Sequence, residues 1–214
     1  MSTSREHPIL FSGEMVKALL EERKSQTRRV VNLPGYDGGG VYETRDARVV
    51  SVLALSPYGG AGAHLYVREK WRVIPSDNGH DFAVEYAAGG DLQHWRDGEL
   101  RYQHLWADLY EGGNCTPAVQ ASECRWRPSI HLPRAFSRLT LEITSIRVER
   151  LTAISEEDAR AEGFDPNWLY AREFGVGPLD WFSFTWNGIN GKRPGCSWAA
   201  NPWVWVLEFR RVEP

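Results

Sequence analysis

The sequence is poor in cysteine. Cys115, Cys124 and Cys196 are an odd set at irregular spacing in 214 residues. That excludes a disulfide-stapled miniature scaffold and leads one to expect free thiols in a reducing cytoplasm. His94, His104, Cys115 and Cys124 fall near one another, but no C-x-x-C or H-x-x-x-H pair is there to pin a zinc. The opening MSTSREHPILF has no apolar run of signal-peptide length, and no later stretch is apolar for long enough to span a bilayer. A cytoplasmic protein with no membrane partner is therefore expected. Strong charge is also missing. A formal net charge of −3 argues against a protein that coats duplex DNA, although it leaves room for a local basic groove. There is no internal repeat, no G-x-x-x-x-G-K-[ST] loop, no G-x-S-x-G elbow and no carboxylate cluster built for two metals.

What is present is an ordinary globular balance, 42% hydrophobic and 25% charged, long enough for one domain with a substantial insertion. Ten tryptophans are many for this length; they suit a core, with some left for a stacking surface.

Residues 14–31, EMVKALLEERKSQTRRVV, organise the rest. Met15, Ala18 and Leu19 recur at helical spacing, with Val16 and Leu20 beside them, predicting a helix to Arg23 capped by Ser12. Residues 27–31 are β-prone, and Asn32, Pro34 and Gly35 end them. Lys24, Ser25, Gln26 and Thr27 thus crowd a helix-to-strand junction. One reading is structural, with basic residues complementing the helix dipole; the other is a site.

The rest reads in order. Residues 8–11 are an entering strand or a lead-in to the helix. Residues 35–48 are a loop, 49–55 a buried strand, and 64–71 a half-buried strand. Residues 72–124 turn polar and glycine-rich and are expected to be an insertion. Residues 125–138 carry four arginines and one histidine with no acid. Pro128 and Pro133 favour an extended path there, and Trp126 and Phe136 interleave. Such a run suits bases and phosphates, or else is a basic loop anchored by its aromatics. Residues 139–151 are the clearest strand. Leu139, Leu141 and Ile143 share one phase, and Ile146 and Val148 the opposite one, so a bulge is predicted near Thr144-Ser145. Ser155 and Asp158 fit a helix cap, and Gly163 a stop. Glu162 then lies at the helix end where the dipole disfavours a carboxylate, which marks either a functional position or a solvated glutamate. Phe182, Trp186 and Ile189 give a helix with an aromatic face. Residues 203–212 give a strand buried on both sides at its start.

Lys24, Thr27 and Arg29 match the Lys, Thr and Arg of the G-x-K-x-x-T-x-R signature of ASCH domains, a branch of the PUA-like superfamily; Glu22 replaces the Gly. Residues 62–69 (GAHLYVRE) resemble the Gly-Asp-x-Leu-Trp-Val-Arg-Glu segment of phage-borne members, with Ala63 for Asp and Tyr66 for Trp. Residues 126–134 (WRPSIHLPR) and 201–206 (NPWVWV) resemble further segments of the same proteins. The resemblance implies one α+β domain over residues 1–214, a small mixed curved β-barrel with flanking helices and a polar insertion at about 72–124. It implies binding of a modified nucleoside or nucleic acid, RNA rather than duplex DNA, in the host cytoplasm if phage-encoded. It also implies an amidohydrolase of N4-acetylcytidine type needing no metal or cofactor, with Lys24, Thr27 and Glu162 catalytic. Arg29, Arg127, His131 and Arg134 would hold base or phosphate. Arg68 and Glu69 would form either a structural pair or a wall of the pocket. A non-catalytic binder of modified nucleic acid and a ribonuclease are the rival readings.

Overall fold

The computed structural model describes residues 6–43, 49–75, 82–95 and 124–212. In chain order the elements are β1 (Glu6–Leu10), α1 (Gly13–Leu20), β2 (Gln26–Val30), β3 (Val41–Glu43), β4 (Val49–Ser51), β5 (His64–Arg68), β6 (Trp71–Pro75), β7 (Phe82–Tyr86), β8 (Gln93–Trp95), β9 (Thr140–Arg150), α2 (Glu156–Ala161), α3 (Leu169–Phe174), α4 (Pro178–Asn190) and β10 (Trp203–Val212). The class is mixed α+β. The strands form a five-stranded sheet in the order β1-β5-β9-β10-β2, a β3-β4 pair and a β6-β7-β8 sheet. No ring of strands closes among the described residues, so the expected barrel is replaced by an open sheet ending at β2. No described helix is long and apolar enough to cross a membrane.

The chain divides into two compact units, the first drawn from Met1–His7, Ala18–Tyr66 and Leu139–Pro214, the second from Pro8–Lys17 and Val67–Arg138. In the first, β10 pairs antiparallel with β9 on one side and with β2 on the other. Both faces of β10 are buried at its start, with Val204, Trp205, Val206 and Leu207 all closed to solvent, as its continuous apolar run requires. Val204 and Val206 pack with Leu151, Ile154, Ala159, Phe182 and Trp186, so α2 and α4 cover one face. Glu208 faces Ser145 and Phe209 faces Ile143, leaving Thr144 as the extra residue of a bulge where the phase of the sequence slips. The cap at Ser155 forms reciprocally with Asp158.

In the second unit Trp71, Val73, Phe82, Val84, Tyr86, Leu132 and Phe136 make a separate core. The described part of the polar region, through β8, is therefore an ordered meander packed on apolar side chains. Residues 96–123, with His104 and Cys115, lie outside the described residues.

Several expectations fail for physical reasons. The first helix stops at Leu20 rather than Arg23, because the chain turns left-handed at Glu22. Only Val49–Ser51 of the run 49–55 is strand; Val52–Leu55 is a 3-10 turn that buries Val52 and exposes Leu53. The stretch 35–48 contains β3, which pairs with β4. Pro128 and Pro133 each precede a 3-10 turn, Ser129–His131 and Arg134–Phe136, rather than a uniformly extended run. Ile189 is exposed on α4, because the buried stripe ends at Trp186. Cys124 is disulfide-bonded, so the expectation of free thiols holds at Cys196, which is buried, and fails at Cys124.

Candidate functional site

The first site element is an anchored lysine. Lys24 follows the α1 turn and bridges to Glu162, just past the end of α2. Both residues are closed to solvent, at 4% and 5% exposure. The Lys24 Nζ donates to the Gln26 carbonyl at 2.7 Å, the Glu162 carbonyl at 2.8 Å and Glu162 Oε2 at 2.9 Å. Three N–H groups thus meet three acceptors. Burial pulls the Lys24 amine below its ordinary range, and Glu162 opposes that shift. The contact accounts for a carboxylate at the unfavourable end of α2, since the ammonium meets both the terminal carbonyl and the side chain. Gly163 makes the approach possible. At φ 105°, a Cβ there would lie 2.9 Å from the Ala18 Cβ and 3.3 Å from the Lys24 Cβ.

Strand alternation sends Arg28 to the face of β2 that α2 covers. Its buried guanidinium reaches Glu162 Oε1 at 3.3 Å, Glu149 Oε1 at 2.6 Å and Asp158 Oδ2 at 3.0 Å. Arg147 extends the network to Glu149, Asp158 and Glu208. A planar guanidinium suits this because its N–H groups fan towards several carboxylates at once.

Thr27 and Arg29 point to the other face. Thr27 is 1% exposed, and its Oγ1 has no hydrogen-bond partner among the described residues. Arg29 hydrogen-bonds Tyr58. Burial pulls the guanidinium below its ordinary range and pushes the phenol above its own, and the contact offsets part of each shift. Arg29 also interacts electrostatically with Glu162 and Lys24. The structure thus brings Lys24, Glu162 and Arg29 into one neighbourhood, with Thr27 on the far face of the strand from Arg28.

Along β2, the last strand of the sheet order, lies a hollow of about 420 Å³. Its charged lining residues are Arg28, Arg29 and Arg193, with Tyr58, Trp186, Trp205, Asn32 and Asn190 alongside and no carboxylate. Lys24, Thr27 and Glu162 do not line it; Arg28 both lines it and holds Glu162.

The remaining expected residues belong to the second unit. Glu69 is buried in a two-pronged pair with Arg138, both N–O distances being 2.9 Å. Burial raises its carboxyl above the usual range, and Arg138 offsets part of that. Arg68 donates to the Ile130 carbonyl. Arg127 exchanges backbone bonds with Trp71 and lays its guanidinium 5.4 Å from that indole. His131 is exposed, and Arg134 opens a 3-10 turn. Phe136 is wholly buried, so it is an anchor rather than a stacking platform. Trp126 is half-buried, with the Arg72 guanidinium 4.5 Å from its ring.

No protein family, curated protein or solved structure matches the chain. Sequence reasoning missed Arg28, Tyr58 and Arg193 as site residues. Alternation along β2 separates Arg28 from Arg29, but it does not say which face holds carboxylates. Arg193 reads from sequence only as part of a basic turn.

Proposed function

We propose that the chain is an ASCH-like, PUA-type protein that binds a nucleoside or nucleotide in the hollow beside β2. The observation that carries this reading is the lining itself. Arg28 is already held by Glu149, Asp158 and Glu162, but Arg29 and Arg193 line the hollow with no carboxylate beside them there, which suits a phosphate, and the Tyr58 ring next to them suits a base. Asn32 and Asn190 supply the amide donors and acceptors that read a base edge.

A second reading, hydrolysis of N4-acylated cytidine, is favoured by the Lys24–Glu162 contact and by the unpartnered Thr27 hydroxyl. In that reaction the Thr27 oxygen or a water adds to the acyl carbon, and Glu162 takes the proton. Lys24 exchanges one carbonyl acceptor for the developing oxyanion. The C–N bond then breaks as Glu162 returns the proton to the leaving amine; where water attacked, the carboxylic acid is released at once, and where Thr27 attacked, a second addition by water cleaves the Thr27 ester, releases the acid and restores the hydroxyl.

The test is calorimetric titration with cytidine and cytidine monophosphate. Alongside it, N4-acetylcytidine is incubated as nucleoside, in RNA and in DNA, with product masses read out. The monophosphate should bind more tightly than the nucleoside, and Arg29→Ala should cost it about tenfold, as lost charged hydrogen bonds do. Equal, Arg29-independent affinities, or no binding, would overturn the binding reading. Glu162→Gln should lower turnover by roughly two orders of magnitude while sparing binding. Absence of turnover in the parent would remove the hydrolase and leave the binder.

A further inference from the structure

Helix α4 buries Phe182 and Trp186 in the core of the first unit. Phe184 lies two residues from each, and two residues turn an α-helix by about 200°, so it projects from the opposite side. Residues 175–177 join α3 to α4, with Gly175 left-handed at φ 65°. This short connection keeps the two helices together. Trp168, just before α3, has its ring 6.4 Å from that of Phe184 and 4.9 Å from that of Tyr170. Tyr170 in turn lies 5.7 Å from Phe174. Four rings thus run in continuous contact across two helices, and Leu169 stands between Trp168 and Tyr170 in the chain.

The helix α3 has six residues, none of them buried. A helix that short does not hold by itself in water and depends on packing. Yet Leu169, Tyr170, Phe174 and Phe184 are 56%, 52%, 69% and 71% exposed. At about 200 Å² for a large side chain, they present about 500 Å² of mostly apolar surface in one patch. Scattered apolar residues on a surface are ordinary, but a contiguous patch of this size is at the upper end of what a monomer shows.

Area and charge point to the occupant. A standard interface takes about 800 Å² from each partner, and in homodimers about two-thirds of it is apolar. The patch supplies that apolar share and leaves a polar border for the rest. The border carries both signs, with Arg172 and Glu173 exposed on α3 and Asp180 exposed in the first turn of α4. None of the three has an ion-pair partner among the described residues. An interface that uses the same patch on both copies must face its own image, and a border of mixed sign can do so without setting like charge uniformly against like charge.

We infer that the Phe184–Trp168–Tyr170–Phe174 ring chain is the centre of a two-fold interface between two copies of this chain. The inference is independent of the nucleotide reading, because Phe184 lies on the opposite side of α4 from Trp186, which lines the hollow beside β2.

The experiment is sedimentation velocity on the full chain between about 1 µM and about 100 µM, the weak end of what a standard-sized interface gives. The parent should be dimeric at the upper end of that range. Phe174→Asp and, in the other helix, Phe184→Asp should each weaken self-association by more than about thirtyfold, as loss of a central interface ring does. Far-UV circular dichroism and urea midpoints should match the parent, because both side chains are exposed; the milder Phe184→Gln repeats the test should an aspartate disturb α4. Ile189→Asp, exposed on α4 but outside the ring chain, should sediment as the parent does. A parent that stays monomeric throughout overturns the second copy and gives the face to a different partner. A dimer that survives both phenylalanine changes, or that is lost equally with Ile189→Asp, overturns the assignment of the interface. Growth beyond the dimer overturns the two-fold closure.

Discussion

At Glu22 the backbone is left-handed, with φ of 59°. The Arg23 N–H reaches the Ala18 carbonyl and the Glu22 N–H reaches the Leu19 carbonyl, the paired bonds of a Schellman end in which the left-handed position favours glycine. Among the described residues the exposed Glu22 side chain has no hydrogen-bond or ion-pair partner that would offset the strain of its Cβ. Glu22→Gly should therefore stabilise the protein by about 1 kcal/mol, read as a higher midpoint in urea unfolding. An unchanged or lower midpoint would show that the strain is relieved elsewhere. The resemblance to ASCH signatures pointed to this position, where Gly is usual. Glu162 was also legible, because a carboxylate at a helix C-terminus contradicts the dipole rule, and Lys24 resolves the conflict. Arg28 was not. Its neighbour Arg29 is chemically identical, and only the tertiary packing of α2 decides which of the two meets three carboxylates.

At the scale of elements, α2 is pinned to β2 and β9 through Asp158, which caps its own helix and pairs with Arg28 and Arg147. Burial would raise this carboxyl, but Arg28, the Ser155 backbone and Arg147 together hold it below the ordinary range. The sign follows from that direction. The unfolded chain takes up the proton more readily, so the contribution is present above about pH 4 and fades as pH falls through the lowered folded value. Asp158→Asn keeps the shape and lacks that step. Melting temperatures recorded between about pH 6 and pH 2 should fall more steeply for the parent, with the two curves converging in acid; parallel curves would remove Asp158 from the account. Elements with a clear period were legible in sequence. The phase slip in β9 located the Thr144 bulge, and the double-sided apolar run located β10. The run 49–55 misled because an unbroken apolar stretch carries no period to separate a strand from a 3-10 turn. Ile189 misled because helical spacing continues past the point where packing against the sheet stops.

For the whole molecule, the acidic overall charge and the local arginine lining make distinct statements about binding. A surface that coats nucleic acid neutralises many phosphates; the hollow beside β2 offers guanidiniums for only a few. For cytidine monophosphate in the hollow beside β2, the proposed ligand, the plot of log affinity against log salt should have a slope no steeper than about −1 to −2. A much steeper slope would place binding on another surface. The sequence could not show the hollow, because its walls come from segments as distant as Arg29, Tyr58 and Arg193, and composition does not reveal which arginines share a wall. Nor did it show that residues 71–95 have a core of their own, since apolar residues there are spaced among glycines and charges.

The pairing of β2 with β10 sets Thr27 opposite Leu207. During synthesis the signature-bearing strand therefore leaves the ribosome long before its partner exists, by roughly ten to forty seconds at usual elongation rates. For most of that interval, until residues 149–162 have been made, Lys24 also lacks Glu162, and Arg28 lacks its carboxylates. A chain that stops early presents a cationic, β-prone edge with nothing to neutralise or cover it. The buried pairs of Lys24 and Arg28, and the cover that β10 gives to β2, thus form only as the polypeptide nears completion, and translation itself times when this part of the fold can close.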